Sequence, residues 1–161
     1  MRAPARLVLL LNLVSASACG PMVDLTKGLQ VQDVSTAWFD AGIVNGQNKL
    51  VPMIQFKLHN VSDQRLTTLQ VNVLFRRVTE PKEEWGSGFV TNAAPEGLAP
   101  GATTANLTVK SQLGYKGTDP REQLLHNSQF VDAKVELFAK YASTQWVKVG
   151  EIPVERKLVT K

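Results

Sequence analysis

The chain has 161 residues, 43% of them hydrophobic and 20% charged, a balance that supports one folded core and excludes a disordered or low-complexity protein. Its formal charge is +4, but Arg2 and Arg6 sit at the extreme amino end, and the other basic residues are scattered apart from the pairs Arg76-Arg77 and Arg156-Lys157. No basic stripe of the kind a phosphate backbone requires is present, so nucleic acid is excluded as a partner.

Residues 1–18 carry the three parts of a secretory leader. Arg2 and Arg6 supply the positive start, Leu7 to Val14 the apolar stretch, and Ser15-Ala16-Ser17-Ala18 the small residues before a cut. That stretch is too short for a membrane-spanning helix, which takes about 20 residues. The single cysteine, Cys19, follows directly, and one thiol cannot build a disulfide framework. Ala16-Ser17-Ala18-Cys19 resembles the lipobox of bacterial lipoproteins. The resemblance implies that the Cys19 thiol receives a diacylglyceryl group and that Cys19, once cleaved free, becomes an acylated first residue carrying fatty-acyl chains such as palmitate. Burial of about 0.8 kcal/mol per methylene makes two or more such chains a firm anchor to a membrane. Gly20 in place of aspartate resembles lipoproteins sent to the outer membrane, where the domain would face the periplasm. The alternative is an ordinary leader cut after Ala18, with Cys19 left as a free thiol.

Residues 19–28 hold Gly20, Pro21 and Gly28 without a clear period, and are expected to form the lipidated start and a tether that lifts the domain off the lipid. From 29 to 161 the pattern is short alternating runs separated by turn residues. Leu29 to Trp38 is the first expected strand. Ile54, Phe56 and Leu58 then alternate with Gln55, Lys57 and His59, and Leu69, Val71, Val73 and Phe75 alternate with Gln70, Asn72 and Arg76. Asn60 to Gln64, between them, is turn chemistry for a hairpin or a corner. Trp85 to Thr91 reads as a shorter strand, Ala99-Pro100-Gly101 as a turn, and Thr104 to Val109 as the next strand. Asp119-Pro120-Arg121-Glu122 opens a one- or two-turn helix near 119–126, with Asp119 as its cap. Val131 to Lys140 alternates most clearly. In the last run, Gln145 to Val154, Val147 and Val149 share one parity while Ile152 and Val154 have the other, which predicts a bulge at Gly150.

Seven antiparallel strands with one crossover helix predict an all-β, immunoglobulin-like sandwich. Phe56-Lys57-Leu58-His59-Asn60-Val61-Ser62-Asp63-Gln64-Arg65-Leu66, Val71-Asn72-Val73-Leu74-Phe75 and Leu98-Ala99-Pro100-Gly101-Ala102-Thr103 together resemble the FxLYD-type bacterial immunoglobulin-like domains. The resemblance covers about a third of the chain. It implies strand-turn-strand geometry and brings no catalytic residues.

No constellation of catalytic, cofactor-binding or metal-ligating residues emerges. His59 and His126 lack ligand neighbours at useful spacing, Gly86-Ser87-Gly88 lacks the flanking pattern of a nucleophile elbow, and Glu83-Glu84 would point to opposite faces of a strand. Two binding readings remain. Leu74 and Phe138 fall on the outward parity of their strands, so together they would mark a surface for another envelope protein; sheet edges offer a second route to such a partner. Trp38, Trp85 and Trp146 are the candidates for stacking on sugar rings, which defines the alternative of a carbohydrate-binding module. The exposure of these tryptophans separates the two readings. A third, an enzyme of unfamiliar type, would need His59 or His126 beside a carboxylate in a cleft.

Overall fold

The computed structural model describes residues 21–160; Cys19 and the expected leader at 1–18 lie outside them. Asp24 caps a single helical turn, α1 (Leu25–Gly28), its carboxylate accepting from the Thr26 backbone N–H at 3.0 Å. Strands β1 (Leu29–Val44) and β2 (Gln47–Asn60) form a long hairpin. It turns on Asn45 and Gly46, both at positive φ (52° and 76°), the twist that lets two antiparallel strands reverse in two residues. β3 (Gln70–Arg77), β4 (Gly86–Val90), β5 (Leu107–Lys110), β6 (Tyr115–Gly117), α2 (Arg121–His126), β7 (Ala133–Lys140), β8 (Val147–Pro153) and β9 (Leu158–Val159) complete the order.

The strands make two sheets. One runs β5-β2-β1-β9, with β6 also paired to β2, and the other runs β4-β3-β7-β8. Pairing is antiparallel except where β9 lies parallel to Trp38 and Phe39 of β1. The protein is thus an all-β sandwich with a short helix at 121–126, as the alternation predicts, and each of the seven expected strands coincides with one of the seven observed strands of four residues or more. Asn60 to Gln64 is a corner, since β2 and β3 belong to different sheets. The pairing slips between Leu137 and Phe138, opposite Gly150 and Lys148, so Val149 is the extra residue of a bulge beside Gly150.

Leu50, Ile54, Phe56 and Leu58 of β2 join Val71, Val73 and Phe75 of β3 and Val135, Leu137 and Ala139 of β7 in one buried core. Each large apolar side chain so buried contributes about 1.5–3 kcal/mol of transfer free energy. Both flanks of the sandwich are closed. Gly86 and Gly88 of β4 abut Ser111 and Val109, because a Cβ at either glycine would fall about 2 Å from a β5-side atom. On the other flank, the Thr36 hydroxyl donates to the Pro153 carbonyl at 3.0 Å and accepts from the Glu155 N–H at 3.0 Å, clasping the chain as it crosses from β8 to the edge of β1.

Three details differ from the sequence reading. The expected tether folds from Asp24 onward, because Leu25 has a core to enter and Gly28 fits against Val23 and Ser62. Pro120, rather than Asp119, is the cap residue of α2; the Asp119 carbonyl accepts from Asn48 and its carboxylate accepts from Asn127. Asn60 is fully buried. Its amide donates to the carbonyls of Gln64 (2.7 Å) and Leu98 (2.8 Å), and its Oδ1 accepts from Ser62, so it is the polar knot of one end of the sandwich.

Candidate interaction face

Cross-strand neighbours in register project from the same face of a sheet. In the β4-β3-β7-β8 sheet, Val71, Val73 and Phe75 point inward, which sends Asn72, Leu74 and Arg76 out. Asn72 stands between Phe89 of β4 and Phe138 of β7, and Leu74 stands between Ser87 and Glu136. Leu74 and Phe138 are therefore diagonal neighbours on one outer face, each half-buried. Phe89, 52% exposed, lies on that face and meets Trp146, 37% exposed, edge-on at 5.7 Å between ring centres. The Lys140 ammonium stands 5.0 Å from the Trp146 ring.

The rest of this face is ionic. Glu136 receives Arg76 Nε at 2.7 Å and Lys148 Nζ at 3.0 Å, while Lys134 bonds Glu151 at 3.0 Å and Lys148 also pairs with Glu151. Burial opposes the Glu136 charge and is the largest single influence on it. The hydrogen bonds and charges of Arg76 and Lys148 together outweigh burial and hold the carboxyl at about 2. Glu151 is likewise lowered, first by its hydrogen bond from Lys148. The outer face thus has an aromatic end at Phe89 and Trp146 and a charged end at Arg76, Lys134 and Glu151, with Leu74 and Phe138 between them.

The tryptophans separate. Trp38 is wholly buried against Phe130 (4.6 Å) and Trp85 (5.9 Å), so it cannot stack on a ligand. The expectation that it might is corrected by its place in β1, where its side chain fills the inter-sheet core. Trp85 is half-buried, wedged between Trp38 and the Arg77 guanidinium. Trp146 alone of the three is open to solvent, and the three form no exposed row. His59 and His126 are far apart in role: His59 Nδ1 bonds the Thr103 hydroxyl at 2.9 Å, and His126 ends α2 exposed. Glu83 and Glu84 are exposed in a turn, and Ser87 lies in β4 between the two close-packed glycines. Among the described residues, no three His, Cys, Asp or Glu side chains gather as a metal site, and no helix is long and apolar enough to cross a membrane.

Sequence reasoning passed over Phe89 and the ionic lattice. Phe89 was within reach, since Gly86 and Gly88 share one parity and leave Ser87 and Phe89 the other. The lattice needs the β7-β8 register, which the bulge beside Gly150 shifts.

No family model matches the chain, and no curated protein matches it. Among solved structures, a target of the Northeast Structural Genomics Consortium is similar at 11% identity and a TM-score of 0.48, over 81% of this chain and 88% of that one. A Bordetella pertussis protein given the name ApaA is similar at 14% identity and a TM-score of 0.48, over 80% of this chain and 93% of that one.

Proposed function

We propose that this chain is a lipid-anchored envelope lipoprotein, acylated at Cys19, whose sandwich is a non-enzymatic module that binds another envelope protein through the outer face around Leu74 and Phe138. The observation that carries the reading is the register that sets Leu74, Phe138 and Phe89 on one solvent-facing surface while the core takes the opposite parity. Apolar side chains grouped on an outer sheet face, rimmed by charge, have the composition of an interface core with a polar rim. Strand addition has less support, because β4 abuts the β5 side and β8 lies near α1 and β1. The sugar-binding reading loses Trp38 to the core and retains one exposed tryptophan, too few for a stacking platform.

Two measurements test the proposal. Intact-mass analysis of the processed chain is expected to show acyl groups, and Cys19→Ser is expected to release the protein from the membrane fraction; an unmodified thiol overturns the anchor. A photo-cross-linking residue at position 138 is expected to give a discrete cross-linked species in the native envelope that Leu74→Ser removes. The same probe at Gln55, on the other sheet, is expected to give none. Equal products from both positions, or none from 138, overturn the interaction face.

A further inference from the structure

The amino-terminal segment is not a free tether. Gln64 Nε2 donates to the Pro21 carbonyl at 2.7 Å, the Val23 N–H donates to the Tyr141 hydroxyl, and α1 then seats Leu25 in the core. Pro21, the first described residue, and Val23 are thus clamped against the loops at 60–64 and 141–147. Two peptide links join Pro21 to Cys19, and extended chain spans at most about 3.6 Å per residue, so a lipid carried on Cys19 would have a leash of about 7 Å from a fixed point on the domain. The headgroup layer of a bilayer leaflet is itself about 5–8 Å thick. A leash that short cannot hold the sandwich clear of the lipid.

The end so placed has suitable chemistry. Met22 is 77% exposed and Val61 43% exposed, and both border the groove beside the docked segment. Trp146 follows Gln145, which borders the groove on the other side of that segment. An exposed tryptophan beside a lysine suits the interface between headgroups and acyl chains, where an apolar ring and a polar edge are both satisfied. Charges at this end balance: Lys27, Arg65 and Lys140 against Asp24, Asp63 and Glu96. The contact is therefore apolar and has no preference for anionic lipid.

We propose that the end of the sandwich bearing Met22, Val61 and Trp146 rests on the bilayer surface, with the clamp from Gln64 and Tyr141 fixing the stance of the domain. This rests on acylation of Cys19. In that stance the strands stand up from the membrane, the β1-β2 turn at Asn45-Gly46 points away, and the Leu74-Phe138 face looks sideways along the surface, open to a neighbour in the same membrane.

Trp146 is a built-in depth probe, since Trp38 and Trp85 lie toward the far end beside Leu158 and Arg77. The acylated full chain would be placed in phosphatidylcholine vesicles whose acyl chains carry bromine near the headgroup. In parallel, the chain lacking its leader would be coupled through Cys19 to a maleimide-bearing lipid in the same vesicles. Bromine is expected to quench part of the tryptophan emission in both, and Trp146→Phe is expected to remove the quenchable part. Tyr141→Phe with eight Gly-Ser residues inserted before Pro21 is expected to lose most of the quenching while remaining bound. Emission insensitive to bromine in the coupled protein, or quenching that survives Trp146→Phe undiminished, overturns the stance. A chain that carries no acyl group in its native form, yet is quenched when coupled, overturns the anchor and leaves the geometry standing.

Discussion

Two residues show how much of the stability of this sandwich depends on polar groups placed out of water. Asn60 gives both amide hydrogens to carbonyls of separate loops and takes both donors of Ser62. Asn60→Ala removes four hydrogen bonds from a buried site and leaves the Leu98 carbonyl with only the Leu66 N–H and the Gln64 carbonyl with only the Ser62 hydroxyl, which costs about 2–4 kcal/mol. Chemical denaturation is expected to show that loss as a lower midpoint with an unchanged slope. Glu136 is the second. Its carboxyl titrates at about 2 in the folded chain and near the ordinary carboxylate value when unfolded. The stability it adds is complete above about pH 5 and drains away as pH falls toward 2, because the unfolded chain takes up its proton first. Glu136→Gln is expected to cost about 2 kcal/mol at neutral pH, once solvent access is allowed for, and to flatten the stability profile between pH 5 and 2. A profile as steep as that of the parent chain would show that the lattice is not the source. The asparagine was legible only as turn chemistry. Its burial depends on Leu98, 38 positions away, and no local pattern reports that.

At the scale of elements, period-two alternation located the strands well and their ends poorly. β7 alternates without interruption and was found nearly to its limits, whereas β1 continues to Val44, past the expected end at Trp38. The reason is physical: pairing slips between Gln32 and Ser35 and again between Asp40 and Ile43, each slip inserting a residue and reversing which parity faces the core. Asn45-Gly46 is a turn signal of the strongest kind, hidden by the broken alternation before it. β6 and β9 are too short to carry any period. The Gly86-Ser87-Gly88 string, which offers no chemistry, has a packing explanation in the flank where β4 meets β5. A Cβ at Gly88 would stand 2.1 Å from Val109 Cγ1, on a β-branched side chain with little freedom to yield. Gly88→Ala is expected to destabilise by about 1–3 kcal/mol through overpacking, and Gly88→Ala with Val109→Ala to recover part of it; thermal melts of the parent chain and the two variants decide the matter.

At the scale of the molecule, the sequence yielded the architecture and the outward pair Leu74 and Phe138, while the direction in which the domain faces was not legible. That direction depends on Pro21, Val23 and Leu25, a stretch whose composition reads as loose linker because its partners, Gln64 and Tyr141, are remote in the chain. The same remoteness governs when the domain can fold. Val23 meets a hydroxyl 118 positions downstream, and Thr36 a carbonyl 117 positions downstream. A nascent chain, made from its amino end, therefore holds its opening strand without lateral closure until Pro153 and Glu155 have been synthesised. No prefix that stops short of Pro153 has both flanks sealed, so closure of the sandwich waits until Pro153 and Glu155 reach the hydroxyl of Thr36.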